Sequence, residues 1–456
     1  MAIDATHPSY DANIQDWTLI DNVIKRKNLH SYLLALNPAD SSSANQQRND
    51  DYKKRAVFYA LSFQTLIGML GLAFSRPPRI ALPTQLEYLV DNVDGAGNTL
   101  EQQSKGVLSD VASKGRAGLF TSFPMTDGPI SRADVDSKRY VATIQQIDAK
   151  QIINWRVETF NAEKKLTLVV IADAEEVVND YKVTYVPIIR ELYLDAGIYR
   201  ERHWRKVDDS WTYQEYTPTN STGQLLTEIP FTFVGSANND PHVDVPNMLS
   251  LCELNIAHYR NSADFEDSIW YCGQAQPYAT GLDEEFVNAM RESQVYVGSR
   301  QILAIPSGET FGFASAPPNP LVRQAMVDKV DMMIGLGARL ITMGGVAKTA
   351  DQTSGEREML HSPLSLSVNN VSDAYNRCFA WCADYVGATM GEGDGYQIST
   401  DFVKPIATTQ ELQQIIAGFV SGSVPLSDYV KFMQRQGLFD PQKTTEDYSE
   451  DLRMIG

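Results

Sequence analysis

Few residues in this chain have types and spacing suited to chemistry, and most of them fail a specific test. Lys348 and Thr349 close the phrase Gly344-Gly345-Val346-Ala347-Lys348-Thr349, whose ending is that of a phosphate-binding loop. Such a loop needs a glycine directly before the lysine and a strand leading into it, so that backbone N–H groups can turn toward the phosphates. Neither is present. Cys378 and Cys382 lie four apart in a helical pattern, which places two thiols on one face. A structural zinc site needs four ligands, and no second cysteine pair or suitably spaced histidine completes it. His7, His30, His203, His242, His258 and His361 are scattered, and no GxSxG or HExxH phrase occurs.

Carboxylates offer three further patterns. Asn92, Asp94, Gly95 and Glu101 fall at the third, fifth, sixth and twelfth positions of a calcium loop, but Val90 stands at the first and cannot coordinate; a plain turn is expected. Asp264, Glu266 and Asp267, with Asp283, Glu284 and Glu285, are clusters that acid/base chemistry would need, and on helix surfaces such groups also simply stay wet. His258, Arg260 and Asp264 share one long helix. They form either a polar site on one face or hydrogen bonds between helices or subunits. No catalytic residue, metal or cofactor is expected, since a hydrolase or nucleotide-dependent enzyme would lack its nucleophile or phosphate loop.

The elements that carry these residues follow from periodicity. Apolar residues recur at helical spacing from Asp51 to Phe74, until Arg76-Pro77-Pro78 ends the element. A short helix is expected around Leu86 to Val90, a turn at Asp94 to Gly97, and a helix from Thr99 to about Lys114. Between Ile152 and Phe233 β-branched and aromatic runs predict an antiparallel sheet, with Asp195-Ala196-Gly197 as a hairpin connection. Pro246 opens a helix reaching Tyr271 without Gly or Pro, about 37 Å long at 1.5 Å per residue. The segment from Gly273 to Pro320 is mixed, with a helix near Asp283 to Glu292 and strands at Val295 to Val297 and Gln301 to Ile305. A second helix is expected over Leu321 to Leu340, a polar run over Lys348 to Gly355, and a helix from Glu356 through Gly387. Two short amphipathic helices follow, Thr408 to Phe419 and Pro425 to Gly437. The fold class is α+β, mainly helical.

Composition bounds the partners. With 456 residues, 43% hydrophobic and 10% aromatic, the chain can bury several packed regions. Its net charge of −18 argues against a protein that grips phosphates over a broad surface, since six to ten phosphate contacts need that many placed cations. Lys25, Arg26 and Lys27, and Lys53, Lys54 and Arg55, are local basic clusters that read as solvated helix faces. Four cysteines in such a length fit a reduced history. The first residues show no secretory signal. Ala56 to Phe74, interrupted by Ser62, Gln64, Thr65, Gly68 and Gly71, reads as a buried helix and not as a membrane span, so no membrane partner is expected.

The order of phrases along the chain resembles the portal proteins of tailed bacteriophages, in the group filed as a domain-of-unknown-function portal family. The phrases are Tyr32-Leu33-Leu34, Tyr52 with Arg55, Ala56 to Tyr59, Gly68 to Gly71, Phe74 to Pro78, Leu86 to Asp94, Gly115 to Pro124, Ile152 to Trp155, Ile229 to Phe231, Asn255 to Asp264, Pro277 with Gly281, and Gly335 to Leu340. They cover most of residues 15–440. Ser122-Phe123-Pro124 departs from the family, which often has Asp before that proline.

The resemblance implies a homo-oligomeric ring, usually a dodecamer, at one vertex of the capsid. Double-stranded DNA would pass through it without sequence recognition, and terminase, major capsid and scaffold proteins and a head-tail adaptor would be its partners. It further implies residence in the virion, with assembly in the host cytoplasm, and a division of the chain. Residues 1–246 would form an N-terminal α/β wing, 247–272 a first stem helix, 273–320 the clip, 321–340 a second stem helix, 341–355 the tunnel loop, 356–395 a wing helix and 396–456 a helical crown. Lys348, Thr349, Asp351, Gln352 and Thr353 would stand in the tunnel loop at the channel constriction. The alternative is a capsid-associated adaptor or binding protein without a channel.

Overall fold

A computed structural model describes residues 3–123, 141–160, 162–208, 210–220, 222–273, 276–281, 284–285, 287–288, 310–314, 320–341, 362–400, 402, 409–421 and 423–435. The architecture is α+β. Helix α1 (Pro8–Lys25) starts at Pro8 in the first turn, where its missing N–H costs nothing, with the His7 ring accepting from the Ser9 N–H. A 3₁₀ turn follows at Leu29–Tyr32, then α2 (Ser43–Arg55), capped by the Ser42 hydroxyl, and α3 (Leu61–Ala73).

The single helix expected from Asp51 to Phe74 is therefore two, and the break between Arg55 and Leu61 has a tertiary cause. The Val57 N–H donates to Ser262 Oγ at 2.9 Å, Asn255 Nδ2 donates to the Tyr59 carbonyl at 2.7 Å, and the Ser62 N–H donates to Asn255 Oδ1 at 3.2 Å. Side chains of a distant helix thus take over backbone groups that local helix bonds would otherwise use. Strand β1 (Arg79–Ala81) follows the prolines, and α4 (Tyr88–Asp91) sits where the short helix was expected. Helix α5 (Leu100–Lys114) starts at Thr99 with a reciprocal capping box to Gln102.

Strands β2 (Arg116–Ser122), β3 (Thr143–Asp148), β4 (Ile152–Phe160), β5 (Glu163–Asn179), β6 (Lys182–Asp195), β7 (Ile198–Val207), β8 (Ser210–Tyr216) and β9 (Phe231–Gly235) make two antiparallel sheets. The larger runs β4-β5-β6-β7-β8, a meander of neighbours in sequence. Asp195 pairs with Ile198 across Ala196 and Gly197, both at positive φ (51° and 80°), the two-residue turn that the sequence predicts there. Phe231–Gly235 does not join this sheet. It pairs with β2, which lies between β3 and β9 and is buried over Arg116 to Thr121. The two sheets enclose a core of Phe120, Ile147, Ile152, Trp155, Val169, Ile171, Leu192, Tyr199, Phe231 and Phe233.

The remaining elements are α6 (Leu249–Cys272), β10 (Gln276–Thr280), β11 (Thr310–Ala314), α7 (Pro320–Ile341), α8 (Pro363–Val386), β12 (Gly395–Gln397), α9 (Thr409–Val420) and α10 (Leu426–Arg435). Each long helix lies within a few residues of its predicted span. The strands expected at Val295 to Val297 and Gln301 to Ile305 lie outside the described residues. The strand pair seen in this region is instead β10 with β11, from Gln276 opposite Ala314 to Thr280 opposite Thr310. Helix α8 begins at the Ser362 cap, and residues 356–361 of its expected start lie outside the described residues. Its apolar face, including Tyr375, Phe379, Cys378 and Cys382, enters the main helical core with Leu108, Val111, Leu251 and Ile256. Burying a side chain such as Phe379 contributes about 1.5–3 kcal/mol.

Candidate functional site

The residues assigned to the channel constriction, Lys348, Thr349, Asp351, Gln352 and Thr353, lie outside the described residues. What the structure does place is α7, which leads into this segment, together with α6 packed beside it, and the contacts that fix the pair. Lys329, in the middle of α7, approaches His258 and Asn261 in the middle of α6; with its amide turned to donate to the Ala257 carbonyl, Asn261 accepts from Lys329 Nζ at 3.3 Å. His258 is 5% exposed, and its Nδ1 has no hydrogen-bond partner among the described residues. Burial, with the Lys329 ammonium adding to it, pushes the imidazole pKa below its ordinary value.

Helix α6 is braced along its length by the N-terminal helices. Near its start Asn255 bridges the Tyr59 carbonyl and Ser62, and one turn later Tyr59 lies 5.9 Å from the His258 ring. Arg260 Nε donates to the Tyr32 carbonyl at 2.9 Å, and Tyr52 donates its phenol proton to Asp264 at 2.7 Å. Toward its end Asp267 receives Arg48 and Arg55, both of which also lie over the Trp270 ring, at 5.7 and 4.4 Å from its centroid. Burial would raise the Asp267 pKa, but the bonds from the two guanidiniums outweigh it and hold the carboxyl below its ordinary value. Helix α7 is fixed on its inner side by Met333, fully buried, and by Gly337, whose surface is so close to Thr65 that an added Cβ would stand 3.2 Å from it.

Of the polar set on the long helix, His258 packs against Tyr59 with no hydrogen bond at Nδ1 among the described residues, while Arg260 and Asp264 bond to other elements, one of the alternatives left open above. Asp267 does the same, bonded by Arg48 and Arg55. Of the basic clusters, Lys25, Arg26, Lys27 and Lys54 lie on exposed surface, Lys25 and Lys54 pairing within their own helix with Asp21 at 3.0 Å and Asp51 at 4.0 Å, while Arg55 reaches Asp267 of α6. Asp94 spends its carboxylate on its own turn, accepting from the Ala96 and Asn98 N–H groups. Cys378 and Cys382 are fully buried, and burial pushes the Cys378 thiol up to about 12 and that of Cys382 well above its usual value, the opposite of what a metal thiolate needs. Among the described residues no group of three or more His, Cys, Asp and Glu is placed to hold a metal. No described helix is long and apolar enough to cross a membrane.

One polar cleft, of about 420 Å³, is lined by Asp94, Asn98, Gln102, Gln103, Gln145 and Gln146. Its groups are committed to structure. Gln102 closes the α5 cap, Gln103 donates to the Ile144 carbonyl, Gln145 accepts from Arg190, and Gln146 donates to Asp110.

The bracing residues Arg48, Asn255 and Ser262 carried no role in the sequence reading. Their signal was present in part: Asn255 and Ser262 stand seven apart, on one face of a helix, where two polar residues amid an apolar stripe indicate a partner.

Residues 247–386, from just before α6 to the end of α8, match a family described as a domain of unknown function (DUF4055). The chain is similar to a solved chain from the virion of a native gene transfer agent particle, with 12% identity over 86% of this chain and 93% of that chain and a TM-score of 0.43. It is also similar to a chain from the neck of an empty gene transfer agent particle computed with C6 symmetry, with 13% identity over 84% and 90% and a TM-score of 0.42. Neither likeness is close enough to establish a shared fold. No curated protein matches the chain.

Proposed function

We propose that this chain is a structural subunit of a tailed-phage-like virion, and specifically the portal subunit: one copy in a ring at a single capsid vertex through which double-stranded DNA is packaged and ejected. The observation that carries the reading is the α6–α7 pair. Two helices of 24 and 22 residues pack side by side, are braced by α2 and α3, and are joined across a segment that begins and ends in the β10–β11 strand pair. This is the order that the portal resemblance requires of stem, clip and stem. On that reading residues 273–320 offer the docking surface for terminase and the head-tail adaptor, 341–355 the tunnel loop, and 396–456 the crown.

A channel protein must touch DNA without holding it. Each phosphate neutralised by a fixed cation adds to an affinity that a motor would have to break. The exposed side of α7 carries Arg323, Asp328, Asp331 and Arg339, two charges of each sign, and the whole chain is acidic. Such a surface lets a duplex slide, and screening beyond about 8 Å limits its repulsion to close approach. The role is structural, with no reaction assigned to any side chain.

Electron-microscope images of the purified protein, alone and co-assembled with capsid and scaffold proteins, test this. The expected view is a ring with a central hole that admits a duplex. Closed particles without a hole would favour a capsid-associated adaptor, and a monomer under every condition would overturn the ring.

A further inference from the structure

Strand β5 is too long for its neighbour. The last rung between β4 and β5 joins Ile152 to Ile171, yet β5 runs on to Asn179. From Asp173 to Asn179 it pairs only with β6, so its other edge presents backbone N–H and C=O groups with no strand beside them among the described residues. The overhang is rich in β-forming residues that the chain itself leaves uncovered: Val178 and Val183 are 57% and 46% exposed, Tyr185 is 68% exposed, and Tyr181 at the turn is fully so. A two-stranded ribbon of this kind is marginal alone in water.

The sheet has a second open edge in β8, the last strand of the order β4-β5-β6-β7-β8. Its sequence, Ser-Trp-Thr-Tyr-Gln-Glu-Tyr, has high β-propensity and no proline, the usual device that blunts an edge. On the overhang the β6 side does carry one, Pro187, whereas β5 from Asp173 to Asn179 has none. The two unblunted edges match in three respects. β8 spans seven residues, as does the stretch from Asp173 to Asn179. Every neighbouring pair in the sheet is antiparallel, so β8 runs in the sense of β4, and laid beside the β5 overhang it would continue where β4 stops. Trp204, Trp211 and Tyr213 lie on the same face of the sheet as Val178, Val183 and Tyr185, as the rungs Ile189–Trp204, Trp204–Tyr213 and Val178–Val183 require.

We infer that β8 of one copy pairs with the overhanging edge of β5 in the next, joining the five-stranded sheets of neighbouring copies into one continuous belt. The contact is head-to-tail, with every copy in the same orientation, which is the geometry that closes into a ring when the rotation closes. Cross-strand neighbours would bring Trp211 and Tyr213 against Val178 and cover the apolar tip. The inference rests on the ring proposed above and adds to it the surface that joins the copies.

Hydrogen exchange separates the two. In assembled wild-type rings, compared with subunits held apart by dilution, the amides of residues 173–179 and 210–216 should exchange roughly tenfold or more slowly. Glu176→Pro, which removes one edge donor on the overhang, should weaken assembly while leaving the far-ultraviolet spectrum of the dispersed subunit unchanged. Rings that form while those amides exchange as in the dispersed subunit would overturn the belt and leave the ring standing. A chain that never assembles would overturn the ring and the belt with it.

Discussion

Arg48 and Asp267 meet through two parallel hydrogen bonds, Nη1 to Oδ1 at 2.7 Å and Nη2 to Oδ2 at 2.6 Å, and so tie α2 to the far end of α6. Arg55 adds a third bond to the same carboxylate at 2.9 Å. A planar fork on a planar carboxylate fixes angle as well as distance, which a rod that must keep its direction needs.

Asp267→Ala would leave two partly buried guanidiniums facing each other. It is expected to lower stability by about 2 kcal/mol, between the values for exposed and buried ion pairs. Urea denaturation measures this, and Asp267→Asn, which keeps one acceptor, should fall between the two proteins. An unchanged midpoint in Asp267→Ala would show that α2 is held by other contacts.

A second ionic cluster lies deeper. The Lys114 side chain is 2% exposed and bonds Asp148, with Asp110 at 2.9 Å and Asp21 at 3.7 Å, while Lys150 also reaches Asp21. Burial works against its charge, but Asp110, Asp148 and Asp21 outweigh that and raise its pKa. Lys114→Met should cost about 3–5 kcal/mol, because among the described residues it leaves Asp110 and Asp148 without their cation, while Asp21 keeps Lys25 and Lys150. A thermal melt shifted by less than a few degrees would contradict this.

Acid should loosen the β7–β8 edge. Bonds from Arg202, Tyr193 and Arg200 bring the Glu215 pKa from 4.5 down to about 2. A carboxyl whose folded pKa lies below its unfolded one contributes stability that is whole above the unfolded value and is lost as pH falls through the folded one. The window here runs from about 4.5 down to about 2. Carbon-13 titration of the Glu215 carboxyl should show a midpoint well under 4, and Arg202→Gln should move it upward. A midpoint at the ordinary glutamate value would remove the cluster from the account of this edge.

Shortening the segment from Lys348 to Gly355 is expected to leave ring assembly intact and to impair DNA packaging or retention. Virions of such a mutant with a full genome content would sink the assignment of Lys348, Thr349, Asp351, Gln352 and Thr353 to the constriction. Assembly lost together with packaging would show that the segment serves contacts between copies instead.

Much of this fold was legible in the sequence where the deciding forces are local. Pro246 and the run after it announced α6, the turn at Asp94 to Gly97 announced a helix from Thr99, and Asp195-Ala196-Gly197 announced the hairpin between β6 and β7. Helix α1 was missed because its start signal, His7 before Pro8, is weak against the usual caps. The break at residues 56–60 was missed for a different reason. Nothing within Ala56-Val57-Phe58-Tyr59 forbids a helix; Asn255 and Ser262, some two hundred positions away, take backbone groups of Tyr59 and Val57.

Sequence alone determined the long helices, an antiparallel sheet with a hairpin at Ala196-Gly197, and an acidic net charge, since periodicity, turn chemistry and net charge are properties of neighbours or of sums. Tertiary structure decided which carboxylate meets which guanidinium, that Phe231–Gly235 leaves the meander to pair with β2, and that β5 outruns β4. Those outcomes depend on pairing between distant segments, and a chain read in order carries no term for the distance that packing removes.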